Sequence, residues 1–217
     1  IDLVIIPAKI EFAEDSAALG RAMERFISYF RSARVIYISS DGIFDGTKGD
    51  YVESDQTRPV TLYGRNLELC ERLVRSQAKN HCIIRPSYMY GFVGGVLDER
   101  LEAARTELNQ GKEVLRFTNM YKSPLSYWQA AKTITVLALS DYVGTVHISG
   151  ERMSVYDFTR EGMEALGVPT MQLRGVLMPV PQPAGMLADT SLKSALAQEL
   201  THIKPLSIQE SLREDSD

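Results

Sequence analysis

The chain has 217 residues, 44% of them hydrophobic and 24% charged, which is enough for one full core or one core with a small appended lobe. A formal net charge of −4 leaves no broad basic field to gather phosphate backbones, which argues against a nucleic-acid partner. No apolar run approaches the ~20 residues of a membrane-spanning helix and no secretory leader is legible, so the expectation is a cytoplasmic protein that engages neither membrane nor nucleic acid.

The chain opens on Ile1 and runs directly into Leu3-Val4-Ile5-Ile6, the start of a strand expected over residues 3–8 and buried on both faces. A helix follows over 15–31, with Ala18, Ala22, Phe26 and Tyr29 or Phe30 spaced as a core-facing stripe. Next come a strand at 34–39, a long Gly-rich segment at 40–61 and a helix at 63–79. A strand at 81–85 leads into a second Gly-rich segment at 87–96, then a helix at 97–110 and a strand at 113–117. The pattern continues with a helix at 127–139, a strand at 145–149 and a helix at 155–166 that turns Phe158, Met163 and Leu166 inward. Pro179, Pro181 and Pro183 interrupt it before a short helix near 191–200, and the polar tail 213–217 reads as frayed. Strands alternating with helices predict α/β layering around a mostly parallel sheet. Both Gly-rich segments follow strand carboxyl ends, the edge of an open α/β sheet where ligands bind.

Cys70 and Cys82 lie in apolar surroundings on a helix and a strand and are expected to be buried, reduced thiols. His81, His147 and His202 share no ligand spacing with acids or cysteines, so no metal site is expected. Hydride transfer to a ketone needs an acid for the developing alkoxide, and a tyrosine hydroxyl beside a serine hydroxyl can serve. Ser40 closes a predicted strand and Tyr63 opens the next helix, so their hydroxyls can converge over one carbonyl. Position 67 shares a helix face with Tyr63. A lysine there would hold the tyrosinate charge and anchor a nicotinamide ribose, but the residue is Leu67. A lost opposite charge moves a pKa by about 1–3 units, equivalent to about ten- to a thousandfold in rate. Arg65 points to another face of the helix and Lys79 lies four turns on, so no other basic residue replaces it by sequence.

Five segments occur in one order: Ser39-Ser40-Asp41-Gly42-Ile43-Phe44-Asp45-Gly46; Tyr51, Glu53 and Asp55 before Pro59-Val60-Thr61-Leu62-Tyr63-Gly64; Ile84-Arg85-Pro86-Ser87-Tyr88-Met89-Tyr90-Gly91; Ser123-Pro124; and Asp189-Thr190-Ser191. Together they resemble the extended short-chain dehydrogenase/reductases, specifically the dTDP-4-dehydrorhamnose reductase family of sugar-nucleotide reductases, from about residue 2 to the end. The resemblance implies a Rossmann-like doubly wound, mostly parallel sheet with a small C-terminal substrate lobe. Residues 1–150 would be the C-terminal part of an NAD(P)-binding domain, with substrate-lobe segments near 86–125, and 151–217 mainly the lobe. It further implies NAD(P)H-dependent reduction of a 4-keto sugar nucleotide. Ser40 and Tyr63 would be catalytic, with Asp41, Ser87, Tyr88 and Gln182 on the substrate and Ala8, Ser39, Tyr63 and Arg85 on NADP or NAD.

Several positions depart from the family pattern. Leu67 stands for its lysine, Tyr88 for its tryptophan, Gln182-Pro183-Ala184-Gly185 for its Arg-Pro-x-Asn, and Pro7-Ala8-Lys9 for small residues that line the cofactor. No Gly-rich strand–helix turn is present to take a pyrophosphate, and Gly91-Phe92-Val93-Gly94-Gly95 lacks the spacing and reads as a substrate-side loop. In the family's strand order the run at 3–6 is the fourth strand. Strands one to three and the Gly loop would then precede residue 1, or another chain would cover that edge. A homodimer is the other assembly left open. The activity reading is therefore of an impaired or atypical reductase. The alternative is a catalytically inactive nucleotide- or partner-binding regulatory protein of the same fold, as in the regulatory beta subunit of methionine adenosyltransferase. An epimerase or dehydratase fits less well, because those also rely on the tyrosine and lysine pair.

Overall fold

The computed structural model describes residues 1–7, 12–183 and 185–214. In chain order the elements are β1 (Leu3–Ile6), α1 (Ser16–Tyr29), β2 (Arg34–Ile38), α2 (Leu62–Gln77), β3 (His81–Pro86), β4 (Met89–Tyr90), β5 (Phe92–Val93), β6 (Val96–Leu97) and α3 (Glu99–Asn109). There follow β7 (Val114–Phe117), β8 (Tyr121–Lys122), β9 (Leu125–Ser126), α4 (Tyr127–Leu139), β10 (Gly144–Ile148), β11 (Met153–Ser154), α5 (Val155–Ala165), β12 (Leu173–Val176), α6 (Ala195–Thr201) and α7 (Ile208–Glu214). Strands β1, β2, β3 and β10 lie side by side in that order, all parallel, as the α/β reading requires.

The apolar runs of β2, β3 and β10 are explained by this sheet, because alternate side chains go to opposite faces and both faces are covered, whereas β1, expected to be buried on both faces, leaves Ile5 48% exposed because it lies at the sheet's edge among the described residues. Val35, Tyr37 and Ile83 pack on Leu19, Met23 and Ile27 of α1 and on Leu67, Cys70 and Val74 of α2. Ile36, Cys82, Ile84, Val146 and Ile148 meet Ala130, Leu137 and Ala138 of α4 and Ala197 of α6. Both cysteines are buried and outside any disulfide, and burial pushes the Cys82 thiol up to about 11, so it stays protonated. The inward stripe of α1 is Leu19, Met23 and Ile27 rather than the one expected; Ala18, Ala22, Phe26 and Tyr29 are exposed. A helix presents one face to the sheet, and the aliphatic i, i+4, i+8 set fits between α2 and the strands, leaving the ring of Phe26 outside against Phe30.

A second core lies beside the sheet. Leu101 and Leu108 of α3, Val114, Phe158 and Met163 of α5, Leu173, and Ile208 and Leu212 of α7 pack together, with Leu166 against them. The strand at 113–117 does not join the main sheet but pairs in parallel with β12. The tail expected to fray from 213 is helical to Glu214, because Ile208 and Leu212, one turn apart, bury against this core. Residues 215–217 lie outside the described residues. The Gly-rich segment 87–96 is not a plain loop: β4 pairs with β9, and β5 and β6 form a hairpin.

Candidate active site

Two interlocked turns build the site. After β2, Ser40 is extended (φ −161°) and caps a tight turn over Asp41–Ile43; its Oγ accepts from Gly42 N at 3.2 Å and donates to Asp41 Oδ1 at 3.0 Å. Thr61 caps α2 by accepting from Gly64 N at 3.0 Å. The two turns touch through glycines. A methyl on Gly64 would lie 2.4 Å from the Gly42 carbonyl oxygen, and one on Gly42 would lie 3.1 Å from Tyr63 Cε1 and 3.7 Å from Ser40 Oγ. The Ser40 hydroxyl and the Tyr63 ring therefore border one small space. On its other side the Tyr63 ring stacks on Phe12, with centroids 4.7 Å apart.

Asp41 is the hub to which distant segments converge. Its Oδ2 accepts from Thr190 Oγ1 at 2.6 Å, from Lys122 Nζ at 3.0 Å and from Ser87 Oγ at 3.5 Å. Ser87 Oγ in turn accepts from Ser123 N at 3.2 Å. The Ser-Asp, Ser-Tyr, Ser-Pro and Asp-Thr-Ser segments quoted above thus meet at one carboxylate. The first two of these segments border a cavity of about 660 Å³ lined by Ser39, Ser40, Asp41, Tyr63, Ser87, Tyr88, Arg100, Lys122 and Tyr127, among others. Lys122, Arg100 and Thr190 were missed as site residues. Lys122 stands immediately before Ser123-Pro124, which is the only signal the sequence offers for it.

Of the expected site residues, Ser39, Ser40, Asp41, Tyr63, Ser87 and Tyr88 line this cavity. Burial pushes the Tyr88 hydroxyl up to about 12, so it is a proton donor at neutral pH. Gln182, expected on the substrate, is exposed and does not line the cavity, because the proline-rich segment carries it onto the surface. Ala8 lies outside the described residues. Leu67 is fully buried between α1, α2 and the sheet and is not part of the cavity wall.

Arg85, expected beside the cofactor, is instead buried beneath the site and absent from the cavity wall. Its Nε and Nη2 donate to the two oxygens of Glu71 on α2 at 2.8 and 2.7 Å, and its guanidinium lies 5.4 Å over the Phe44 ring. The Nε/Nη2 edge of the guanidinium is thus spent on Glu71, and Nη1 meets His147. Burial acts to raise the Glu71 carboxyl, but the hydrogen bonds and charge of Arg85 overcome it and hold it below the usual range. His147, also buried, contacts Tyr51 O through Nδ1 and Arg85 through Nε2 at 3.3 Å. It is the Nδ1–H tautomer, because Nε2 must accept from a guanidinium. Burial, seconded by Arg85, lowers its pKa to about 4.

No described helix is long and apolar enough to cross a membrane, and no described group of histidine, cysteine and acidic residues could hold a metal. The chain is 29% identical over 211 residues to the spore coat polysaccharide biosynthesis protein SpsK of Bacillus subtilis, covering 92% of this chain and 71% of that protein. It is 28% identical over 186 residues to the methionine adenosyltransferase 2 subunit beta of Bos taurus, covering 79% of this chain and spanning half the length of that relative. A hypothetical dTDP-4-dehydrorhamnose reductase from Sulfolobus tokodaii superposes with a TM-score of 0.78 at 25% identity, over 95% of this chain and 77% of that one. The Bacillus anthracis dTDP-4-dehydrorhamnose reductase, solved in complex with NADP, superposes with a TM-score of 0.77 at 17% identity over 90% of this chain and 70% of that one, which shows the shared fold. Residues 24–216 match the RmlD substrate binding domain, and the chain is a member of that dTDP-4-dehydrorhamnose reductase-like family.

Proposed function

We propose that this chain works as a reductase of a 4-keto sugar nucleotide, with NADPH or NADH as reductant. The observation that supports it is the gathering of Ser40, Tyr63, Asp41, Ser87 and Tyr88 around one cavity of about 660 Å³. Tyr63 donates the proton to the carbonyl oxygen, and Ser40, oriented by Asp41, polarises that oxygen. Asp41 and Ser87 bind sugar hydroxyls, and Tyr88 offers a flat wall. The nicotinamide nucleotide, when bound, supplies the hydride. Ser39, Tyr63 and Pro7 fit its nicotinamide end, since they line the cavity. The described residues give its pyrophosphate no grip: the N-terminus of α1 is closed by Asp15, whose carboxylate takes the N–H groups of Ala17 and Ala18.

In this reading residues 1–150 belong to the nucleotide-binding unit, while segments near 86–125 and 151–217 form the substrate lobe around the second core. The protein works in the cytoplasm, consistent with its two buried thiols, which form no disulfide. Ile5 on β1 is 48% exposed, and this edge suits pairing with a preceding strand of the same chain, a second copy or a partner. A regulatory role without turnover is the second reading. It is favoured by Leu67, buried in the core where the family has its lysine, and by the similarity to the methionine adenosyltransferase subunit.

The test is NADPH oxidation with a dTDP-4-keto-6-deoxy sugar. The expected result is turnover that falls about a hundredfold or more in Tyr63→Phe. Nucleotide binding without oxidation by the parent protein would overturn the reductase reading in favour of the regulatory one.

A further inference from the structure

A second cavity of about 480 Å³ shares Tyr88, Arg100 and Lys122 with the first and adds Arg116, Phe158 and Glu99 to its wall. Its charges are not balanced. Lys122 is paired with Asp41, but among the described residues neither Arg100 nor Arg116 forms an ion pair. The Arg100 guanidinium lies 4.2 Å over the Tyr88 ring, and Arg116 Nη1 donates to the carbonyl of its neighbour Leu115. Both arginines act on the Tyr88 hydroxyl, which burial keeps protonated. Two guanidiniums and a phenol hydroxyl are opposed in the wall by Glu99, and beside it by Asp98, whose carboxylate already accepts from the N–H groups of Gly91, Arg100 and Leu101; the donors keep an unmet demand for anionic acceptors. Guanidinium forks suit phosphate oxygens, and a stacked arginine is already held in place for binding.

We infer that Arg100 and Arg116, together with the Tyr88 hydroxyl, bind the diphosphate of the substrate nucleotide in this second cavity. The inference rests on the sugar-nucleotide reading and says how this chain grips its ligand although Gln182 stands where relatives carry an arginine and lies exposed away from both cavities. Neither arginine belongs to any of the segments that carried the family resemblance. A ligand with its carbonyl at Ser40 and Tyr63 would pass Tyr88 and Lys122 and place its phosphates against the pair. The apolar part of the wall, Phe158 among it, leaves room for the nucleoside.

Calorimetric titration without cofactor tests this, using dTDP, UDP, thymidine and NADPH on the parent protein and on Arg100→Gln, Arg116→Gln and Arg72→Gln, the last at an exposed arginine of α2 that lines neither cavity. Charge-assisted contacts of this kind carry about ten- to a hundredfold each in affinity. The expected result is that the diphosphates bind, thymidine does not, Arg100→Gln and Arg116→Gln each weaken dTDP by at least about tenfold, and Arg72→Gln leaves it unchanged. Circular dichroism and thermal melts should show all three variants folded. Absence of dTDP binding to the parent, parental affinity in Arg100→Gln and Arg116→Gln, or a loss confined to NADPH would overturn the inference. Failure of the reductase reading shows separately, as arginine-dependent dTDP binding without NADPH oxidation.

Discussion

Replacing Glu71 by glutamine keeps the shape of the side chain and removes its charge, and the structure gives a magnitude for the result. Glu71 and Arg85 are 2% and 3% exposed and joined by two hydrogen bonds of 2.8 and 2.7 Å, while Arg75 contributes one half-exposed contact at 3.2 Å. Removing one partner of a buried pair leaves the other charge uncompensated and costs about 3–5 kcal/mol. The glutamine oxygen still accepts one Arg85 N–H, so the lower end, about 3 kcal/mol, is expected. With a urea slope of about 2 kcal/mol per molar, the unfolding midpoint at pH 7 should fall by ~1.5 M at unchanged slope. The double variant Glu71→Met/Arg85→Met removes both charges at once and should recover most of that loss. The deficit should also depend on pH. The Glu71 carboxyl is lowered in the folded state, so its contribution is fully present above its ordinary value of 4.5 and disappears as pH falls through the lower folded value. A single variant within about 0.5 kcal/mol of the parent at pH 7, or a double variant worse than the single, would refute the reasoning.

His147 is held at about 4 against an ordinary 6.5. The unfolded chain therefore takes up a proton between those values that the folded chain refuses, and stability falls as pH drops through that window by up to about 3 kcal/mol. His147→Asn keeps a donor toward Tyr51 O and should flatten urea-midpoint curves between pH 7 and 4; an unchanged slope would count against the assignment. Gly64→Ala puts a methyl 2.4 Å from the Gly42 carbonyl oxygen and should lower stability by about 1–3 kcal/mol, with activity lost in greater proportion as the Ser40 turn shifts. A variant with parental melting and turnover would show that the two turns are not interlocked. Leu67→Lys restores the family residue but buries an ammonium in a core where the i+4 neighbour Glu71 is already engaged by Arg85. It should cost about 4 kcal/mol at pH 7, a cost that shrinks as pH rises toward the ordinary lysine value, because burial lowers the folded pKa. Parental stability combined with raised turnover would show instead that position 67 reaches the cavity.

By itself the sequence determined the layering of this protein, because that information is local. Apolar, β-rich runs at residues 35–38 and 82–84 fit strands covered on both faces, and Thr61 and Asp98 cap the helices that follow them. The order of the motifs likewise carried the family, and with it Ser40, Asp41, Tyr63, Ser87 and Tyr88. Local pattern could not give the rotation of α1, where Ala18-Ala22-Phe26 and Leu19-Met23-Ile27 are both helical stripes and the fit against α2 selected the second. Nor could it give partners. Arg85 reads as a free cation until Glu71, fourteen residues away, is folded onto it, and Lys122 reads as a surface lysine until Asp41, eighty-one residues away, accepts a hydrogen bond from it. Hydrogen bonds and ion pairs depend on distances of about 3 Å that only the packed chain sets. Charge chemistry at the site, including which cations are spent and which remain to meet a ligand, was decided by the tertiary structure.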